Sequence, residues 1–385
     1  MSSLEVEIER ILPGGYGLAH AAGYTVFVPL AAPGDRLRVG VERQQGNILF
    51  ASIEEILVAS PDRIEPPCPY FGRCGGCDFQ QLTYEKQLAA KAEIIRDCLH
   101  RIARLQDIPE IVVTPSPRDW RYRLRATWQI DQEQQRIGYY ERGSRRVCDV
   151  ADCAVLLPEL QQTLERVRAT EWQEFPPGLQ HLEVVAGENG VSLSPPFAEF
   201  DTAELQLQLA GESYSYNAAS FFQINPALLP PLLEFALSDA TGETAVDLYC
   251  GVGLFTLPLS RRFKQVVGVE SNPVAAQFAR RNLARARLEN ARVVNSGVAE
   301  WIGGKPLRSD FVLLDPPRAG AESVVIKGIV DSRAARVSYV SCDPATLARD
   351  LKKLIAGGYA IESLAAYDLF PQTHHVETVV RLHLS

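Results

Sequence analysis

The chain alternates hydrophobic strand-like runs with helical segments from about residue 217 to its end. The strand-like runs are TAVDLYC, QVVGVE, ARVVN, DFVLLD and RVSYVS, and helical segments lie between them. Such alternation predicts a doubly wound α/β sheet, in which helices connect the strands. Ligands of open α/β sheets bind at the carboxyl ends of the strands, so the residues that end these strands are the first candidates for a functional site.

The first 216 residues carry mainly β-type patterns. Residues 1–56 contain five short alternating segments separated by glycine turns, which predicts a small OB-type β-barrel. A proline-rich linker follows, then a cysteine-bearing segment at 66–80, a helix at 82–105 and a mainly β region with one helix near 158–171. The predicted fold is therefore multidomain, α/β plus β, with domains at 1–58, 59–216 and 217–385.

Composition excludes several classes of protein. The chain has 385 residues, of which 46% are hydrophobic and 22% charged, and this is typical of a soluble globular protein with two or three domains. No apolar run approaches the roughly 20 residues of a membrane-spanning helix. The acidic N-terminus, MSSLEVEIERIL, is not a signal peptide. We therefore expect a cytoplasmic protein with no membrane partner.

A net charge of −8 argues against a protein that coats nucleic acid nonspecifically, but one stretch is locally basic. Residues 118–146 contain eight arginines against four acidic residues. In RDWRYRLRATW the arginines alternate with Trp120, Tyr122 and Leu124, which predicts a strand with one basic face and one apolar face. The basic face is either an ordinary solvated surface or a contact with nucleic acid.

The stretch AVDLYCGVGLFTLPLS predicts a strand, a glycine turn and a helix. A dinucleotide fingerprint requires a third glycine where this chain has Thr256. Asp247 and Glu270 end two successive strands, and a carboxylate at such a position accepts hydrogen bonds from ribose hydroxyls. Gly251 and Gly253 would let a ligand lie against bare backbone. Because one carboxylate would suit the charged end of the cofactor and the turn lacks the pyrophosphate-binding pattern, S-adenosylmethionine fits better than NAD. The alternative is a turn that needs glycine for its geometry alone.

The stretch DFVLLDPPRAG places Asp315 and two prolines at the end of a further strand. The prolines fix the backbone, so Asp315 is expected to point into the crevice at the strand ends. Methyltransferases that act on the adenine amino group use a similar Asp/Asn-Pro-Pro followed by an aromatic residue. Arg318 occupies that fourth position here, which argues against an exocyclic amine as methyl acceptor. The alternative is a strand that simply ends in two prolines.

The stretch VSCDPATLARD places Cys342 at a strand end, beside the N-terminus of a helix that begins at Pro344. A thiolate forms most easily at such a position. Glu377 follows in FPQTHHVET, before the closing strand. A thiolate that adds to uracil carbon 6 makes carbon 5 nucleophilic, and a base must then remove the carbon 5 proton. Cys342 and Glu377 fit these two tasks; the alternatives are an inert buried cysteine and a solvated glutamate.

These stretches resemble a known family, the S-adenosylmethionine-dependent RNA methyltransferases that form 5-methyluridine. The matching stretches are FFQIN (221–225), DLYCGVG (247–253), VVGVE (266–270), LLDPPR (313–318), SCDP (341–344) and FPQTHHVET (370–378). The resemblance implies Cys342 as nucleophile and Glu377 as base. It places Phe221 and Phe222 near a flipped base. It also places seven residues at the cofactor and the uracil: Gln223, Tyr249, Gly251, Gly253, Glu270, Gly297 and Asp315.

The chain departs from the family pattern at two positions beside these residues. The family usually has asparagine after the nucleophilic cysteine, where this chain has Asp343. A negative charge there should raise the pKa of the thiol unless the carboxylate is paired or caps a helix. Leu254 stands where the family often has asparagine after the second turn glycine, so one cofactor contact is expected to be missing.

Three of the eight cysteines, Cys68, Cys74 and Cys77, form the pattern C-x5-C-x2-C. Without a secretory signal, metal binding is favoured over disulfides, and four thiolates suit zinc or a [4Fe–4S] cluster. A subset of the family that the chain resembles carries a [4Fe–4S] cluster at this spacing. The resemblance therefore implies these three cysteines and Cys153 as ligands, with Cys148 as the competing fourth candidate.

The N-terminal barrel resembles a TRAM domain, an RNA-binding module, through GGYGLAH and VFVPLAAPGDRLRV. Residues 1–60 contain seven acidic residues and four arginines, so shape or stacking through Tyr16, Tyr24 and Phe27 would have to contribute to RNA binding. A TRAM-like module combined with the cluster resembles the branch that acts on 23S rRNA. We therefore predict a monomeric 23S rRNA methyltransferase; the alternatives are a tRNA methyltransferase and a noncatalytic RNA-binding factor.

Overall fold

The computed structural model describes residues 3–304 and 307–385 of the chain. Met1 and Ser2, the start of the predicted 1–58 domain, lie outside the described residues. Within these ranges the strands form four sheets. Each sheet is built from one continuous part of the chain, except that the short strand Val113–Thr114 joins the C-terminal sheet. No helix in the described ranges is long and apolar enough to cross a membrane.

The N-terminal sheet, described from Ser3 onward, has the strand order β1-β5-β6-β4-β3-β2. Its strands are β1 (Ser3–Glu7), β2 (Arg10–Ile11), β3 (Tyr16–Ala21), β4 (Tyr24–Pro29), β5 (Arg36–Gln45) and β6 (Ile48–Val58). Only Ile8 and Glu9 separate β1 from β2, yet these two strands lie at opposite edges of the sheet. The sheet therefore curves until its two edges meet at this bend.

The central region contains an antiparallel sheet of order β10-β9-β8-β11-β12 and a separate hairpin, β13-β14. Helix α1 continues as a π-helical turn, Leu99–Ala103, which matches the helix predicted at 82–105. The elements are α1 (Tyr84–Cys98), β7 (Val113–Thr114), β8 (Arg125–Asp131), β9 (Arg136–Tyr140), β10 (Val147–Asp149), α2 (Pro158–Ala169), β11 (His181–Gly187), β12 (Gly190–Ser194), β13 (Leu205–Leu209) and β14 (Glu212–Tyr216).

The strand predicted to start near Arg118 begins only at Arg125, which corrects the prediction from the sequence. Arg121 has a φ of 51°, a left-handed conformation that no extended strand contains. The predicted alternation of burial holds from residue 122 onward. The arginine face is nevertheless not a solvated surface at Arg125, whose guanidinium donates to backbone oxygens of the 218–220 loop and to the Glu183 carboxylate.

The C-terminal sheet has the order β17-β16-β15-β18-β19-β21-β20-β7. The strands from β17 to β19 are parallel, whereas β21 runs antiparallel to both of its neighbours. The elements are α3 (Leu229–Leu237), β15 (Gly242–Leu248), α4 (Thr256–Ser260), β16 (Phe263–Glu270), α5 (Pro273–Arg285), β17 (Ala291–Asn295), α6 (Val298–Gly304), β18 (Phe311–Leu314), α7 (Ser323–Ser332), β19 (Arg336–Ser341), α8 (Pro344–Ala356), β20 (Tyr359–Tyr367) and β21 (Glu377–Leu384).

Helix α1 packs into the core of the C-terminal sheet, although it precedes the central sheet in the chain. Ile95 and Leu99 share one apolar core with Leu347 and Leu351 of α8. Strand β7 also joins this sheet, where it pairs in parallel with β20. The segment 84–114 is therefore part of the C-terminal layer, and it brings the preceding cysteine-bearing segment close to that layer.

Candidate active site

A cavity of about 720 Å³ lies at the carboxyl edge of the C-terminal sheet, where that sheet faces the central one. Residues at the ends of β15, β16, β18 and β19 line it together with residues of β8 and β11. This is the edge at which open α/β sheets bind ligands. Eight residues named from the sequence lie in this lining: Phe221, Gln223, Tyr249, Gly251, Glu270, Asp315, Cys342 and Glu377.

Cys342 lies on the turn between β19 and α8, as the sequence predicts. Asp343 is the N-cap of α8, and its carboxylate accepts a hydrogen bond from the Thr346 backbone N–H at 2.8 Å. An N-cap carboxylate is stabilised by the free N–H groups of the first helical turn. The carboxylate of Asp343 therefore has a partner on the helix, yet its charge still contributes to the raised pKa of the Cys342 thiol.

Glu377 is the first residue of β21 and is only 2% exposed. The antiparallel register pairs Ser341 with Thr378, so the residues just beyond that pair, Cys342 and Glu377, meet at one end of the two strands. Among the described residues, Glu377 Oε1 has no hydrogen-bond partner. The carboxyl group is thus buried in the cavity and available to a ligand.

Asp315 follows β18 and lies in the same cavity. The Gln223 side-chain amide donates to its Oδ2 at 3.1 Å. The two side chains come from distant parts of the chain. They meet because Asp315 lies at the end of its strand, as predicted, in the cavity that Gln223 also lines. Together they present a carboxyl and an amide group, which offer both hydrogen-bond donors and acceptors to the cavity.

Burial shifts the ionisation of three acidic groups that line this cavity, Cys342, Asp315 and Glu377. It raises the pKa of the Cys342 thiol to about 12, and the carboxylates of Glu377 and Asp315 add to the shift. It also raises the pKa of Asp315 to about 7 and that of Glu377 well above its ordinary value. Arg318 opposes the shifts of Cys342 and Glu377, because a nearby positive charge favours the ionised form. In the free protein at neutral pH, the thiol is therefore protonated.

Glu270, the predicted contact for ribose hydroxyls, is the last residue of β16. Its Oε2 accepts from the Gly251 backbone N–H at 2.9 Å, and its Oε1 accepts from the Asn272 backbone N–H at 2.6 Å. Gly251 has a φ of 54°, and a Cβ atom there would meet only one neighbour, at 4.0 Å. The turn therefore leaves bare backbone beside a fixed carboxylate, as the sequence predicts.

Two glycines expected at the cofactor are not in the lining of this cavity. A Cβ atom on Gly253 would lie 2.9 Å from Leu257, so this glycine is required for packing within its own turn. Gly297 lies before α6 and is likewise outside the lining. Asp247 is fully buried behind the turn, where it accepts from the Thr256 hydroxyl, and burial raises its pKa to about 8.

Several further residues line the cavity that were not predicted from the sequence. Thr127 of β8 donates its hydroxyl to Glu183 of β11 at 2.8 Å, and both lie on the central-domain wall. Asn272 caps α5 and could have been found from the Asn-Pro pair that starts this helix. Phe370 belongs to the segment before Glu377. Thr127 and Glu183 carry no local sequence signal, because only the packing of the two domains brings them here.

A second cavity is lined by four cysteines, Cys68, Cys74, Cys77 and Cys153. Arg123 and Tyr139 also line it, and within the described residues the Arg123 Nε and the Tyr139 hydroxyl have no hydrogen-bond partner. Unpaired buried donors beside cysteine sulfurs would suit an anionic group with several acceptor atoms. However, no three His, Cys, Asp or Glu side chains of residues 3–304 and 307–385 are placed to hold a metal ion.

Cys148, the competing fourth candidate, lies outside the lining of the second cavity. It is a buried residue of β10, and its sulfur accepts a hydrogen bond from Arg73 Nε at 3.2 Å. Cys153 instead shares the cavity with the three cysteines of the segment 66–80.

The sheet order, the acidic strand ends and the glycine turn define the class of Rossmann-like methyltransferases. The family model described as tRNA (uracil-5-)-methyltransferase matches residues 197–384 of the chain. An uncharacterized RNA methyltransferase of Halalkalibacterium halodurans is 31% identical over 99% of this chain and 97% of its own length. The 23S rRNA (uracil(1939)-C(5))-methyltransferase of Pseudomonas putida is 33% identical over 97% of this chain and 92% of its own.

The crystal structure of Pyrococcus abyssi tRNA (uracil-54, C5)-methyltransferase with S-adenosyl-L-homocysteine superimposes with a TM-score of 0.76. It is 25% identical and covers 98% of this chain and 100% of that one. The chain therefore belongs to the family of S-adenosylmethionine-dependent uracil-5 RNA methyltransferases, which confirms the resemblance seen in its motifs.

Alkylation of Cys342 by iodoacetamide is expected to accelerate about tenfold per pH unit from neutral to alkaline pH. Only the thiolate reacts, and its fraction rises about tenfold per unit below the raised pKa. Mass spectrometry of the peptide that contains Cys342 measures the rate. The Glu377→Gln variant should react faster at each pH, because it lacks a carboxylate that raises the thiol pKa. A rate that levels off near about pH 8, the ordinary range for cysteine, would contradict the raised pKa.

Proposed function

We propose that the protein methylates carbon 5 of a uridine in 23S rRNA through a covalent adduct with Cys342. The observation that carries this proposal is the presence of Cys342, Glu377 and Asp315 in one buried cavity that Glu270 also lines. Relatives named as 23S rRNA uracil methyltransferases, at 33% and 32% identity over nearly the full chain, support the class of substrate.

Cys342 is the nucleophile in this proposal. Its thiolate, formed when the thiol releases its proton to water, adds to carbon 6 of the uracil, and the electron pair of the C5–C6 double bond moves onto the ring as an enolate. Carbon 5 then becomes nucleophilic enough to accept a methyl group. S-adenosylmethionine supplies that group as a methyl cation equivalent and leaves as a neutral thioether.

Glu377 is the base that completes the reaction. Its carboxylate takes the proton from carbon 5, and the electrons of that C–H bond re-form the C5–C6 double bond. The carbon–sulfur bond then breaks, and its electron pair returns to the sulfur of Cys342. The raised pKa of Glu377 makes its ionised form a stronger base than a solvated carboxylate.

The lining residues fit S-adenosylmethionine. Glu270 is fixed by two backbone N–H groups at the end of β16, where a carboxylate accepts from ribose hydroxyls. Gly251 leaves the backbone beside it open. The volume of about 720 Å³ lies within the usual range for small-molecule sites, which supports a cavity shared by a cofactor and a flipped base.

The positive charge of a sulfonium donor would change the ionisation of the site. Burial raises the pKa values of Asp315, Glu377 and the Cys342 thiol in the free cavity, because it disfavours their charged forms. A positive charge close to them opposes this effect, since it stabilises each negative form. The thiolate would therefore form mainly when the donor is in place, which links nucleophile activation to cofactor binding.

RNA would approach from the central-domain side of the cavity. Phe221 is 55% exposed at the lip, and the guanidinium of Arg125 lies 5.8 Å from its ring centroid. An exposed aromatic ring beside an arginine suits stacking on an unpaired base. A tRNA substrate is the second candidate, because the structural neighbour from Pyrococcus abyssi is named as a tRNA methyltransferase.

The four-cysteine cavity is the proposed site of a [4Fe–4S] cluster. Thiolates are the ligands that such clusters require, and the unpaired donors on Arg123 and Tyr139 suit its sulfides. Because the cysteines come from the segment 66–80 and from Cys153, they would join that segment to the central domain. When bound, the cluster would cross-link these two parts of the chain.

The remaining proposals concern the N-terminal sheet and the setting of the protein. The TRAM resemblance suggests that this sheet contacts RNA, and Tyr16, Phe27 and Phe50 form an aromatic cluster on it with centroids 5.6 to 6.3 Å apart. A cytoplasmic location and a monomeric state stay predictions from the sequence.

Cys342→Ala is expected to abolish methyl transfer, because no sulfur remains to add to carbon 6, while cofactor binding is kept. Glu377→Gln is its matched partner and should trap a covalent protein–RNA adduct, since the carbon 5 proton is no longer removed. Denaturing gels of protein with RNA measure the adduct, and calorimetry measures cofactor binding. Normal turnover by Cys342→Ala, or normal turnover by Glu377→Gln with no adduct, would refute the assigned roles.

Unmodified 23S rRNA is expected to gain 5-methyluridine from this protein, whereas tRNA transcripts are not. Digestion of each RNA followed by mass spectrometry measures the modified nucleoside, and Cys342→Ala serves as the inactive control. The modified position is compared with uracil 1939, which the relatives' names give. Modification of tRNA alone would favour the second candidate substrate. Binding of RNA without methylation by the intact protein would favour a noncatalytic factor.

Anaerobically purified protein is expected to contain about four iron and four sulfide ions per chain. Cys153→Ser should lose this iron, because Cys153 lines the cavity with the other three cysteines. Cys148→Ser is the matched control and should keep it, since Cys148 lies outside the lining. Elemental analysis measures both ions. A result of one zinc ion per chain, without iron or sulfide, would contradict the cluster and indicate a zinc site.

A further inference from the structure

The segment 368–376 connects β20 to β21 and ends immediately before Glu377. We call it the base loop. Most of its residues are buried although it has no regular secondary structure, and Phe370 lines the active-site cavity. Because Glu377 Oε1 has no partner among the described residues, hydrogen bonding at that oxygen does not orient the carboxyl group. Pairing of β21 with β19 and β20 fixes the backbone of Glu377, and the way the base loop is held sets how the chain enters that strand.

Helix α1 holds the start and the middle of the base loop. Lys91 and Asp368 form a fully buried ion pair at 2.5 Å, and Lys91 also donates to the Phe370 carbonyl at 3.1 Å. Gln87 and Gln372 exchange two hydrogen bonds of 2.9 Å each. Breaking a buried ion pair leaves an uncompensated charge, so these contacts are strongly fixed.

The cysteine-bearing segment holds the end of the base loop through Asp78, the residue after Cys77. The Asp78 backbone N–H donates to the Gln372 carbonyl at 3.1 Å. Its carboxylate accepts from the His374 backbone N–H at 2.7 Å and lies 2.5 Å from His374 Nδ1. A Cβ atom on Gly15 of the N-terminal sheet would lie 3.2 Å from His374, so this junction is tightly enclosed.

We infer that Asp78 is a positioning residue for the catalytic base. It acts through His374, three residues before Glu377, and fixes the base loop so that the Glu377 carboxyl faces carbon 5 of the target uracil. The cysteine-bearing segment thereby sets the rate of proton removal, in addition to any group that its cysteines bind. This inference rests on the proposed role of Glu377 as the base.

The step that Asp78 should affect can be isolated with two RNA substrates. In 5-fluorouridine RNA, fluorine replaces the proton that Glu377 removes, so the reaction stops at the methylated adduct. The rate of adduct formation on this RNA reports addition of the thiol and methyl transfer. Turnover on ordinary uridine RNA also requires proton removal, so a displaced base slows turnover alone.

Asp78→Ala is expected to reduce turnover on uridine RNA about tenfold, which corresponds to the loss of roughly one charge-assisted hydrogen bond. The covalent adduct should accumulate on uridine RNA, while adduct formation on 5-fluorouridine RNA should keep the wild-type rate. His374→Ala should behave in the same way. Because it keeps the hydrogen bond from the backbone N–H of residue 374 to Asp78, it replaces Asp78→Ala as the test if that variant folds poorly. His374→Asn should restore most of the turnover, because its amide N–H can replace Nδ1 as the donor.

Glu204→Gln is the matched control. It removes another partly buried ion pair between domains, the one that Glu204 forms with Arg281 at 2.6 Å. Both residues are far from the base loop in the chain. It should leave both rates unchanged. Iron content is measured for every variant, so that loss of a cluster is distinguished from loss of this contact. Equal decreases of both rates in Asp78→Ala and His374→Ala, or unchanged turnover, would overturn the inference. Absence of any adduct with the wild-type protein would instead refute the proposed function.

Discussion

The antiparallel insertion of β21 between β19 and β20 is the constraint on which the active site depends. It places the first residue of β21, Glu377, beside the end of β19, where Cys342 follows. A parallel strand in the same place would put Glu377 at the opposite edge of the sheet, roughly 25 Å away for eight residues. The direction of one strand therefore decides whether the thiol and the carboxyl share a cavity.

Burial of these two groups with Asp315 has a chemical consequence. Three ionised acids this close together and removed from water would repel one another, and the free protein avoids this by keeping the Cys342 thiol protonated. Arg318 opposes the shift but does not cancel it. In the proposed reaction, a cationic methyl donor would supply a further positive charge that favours the thiolate. A reactive thiolate would then be rare until the donor is bound.

The strand-end residues could be predicted because the rule for α/β sheets depends only on the local order of strand, turn and helix. Glu270, Asp315 and Cys342 were found in this way, and the structure brings them to one edge. Gly253 lies outside the cavity lining, and its role at the cofactor stays a prediction. The basic strand predicted at 118–124 was wrong, because long-range packing determines the conformation of these residues. Glu183 was missed for the same reason: it reaches the cavity only through the docking of the central sheet, which no local pattern encodes.

Arg123 lines both the active-site cavity and the four-cysteine cavity, so the two sites are direct neighbours. This proximity does not make the second site part of an electron-transfer path. In the proposed reaction each bond that breaks supplies the electron pair for the next, from the thiolate to carbon 5 and back to sulfur. No electron is gained or lost, so the cysteine-bearing segment can affect the chemistry only through position and charge. Its contact with the base loop through Asp78 is a contribution of that kind.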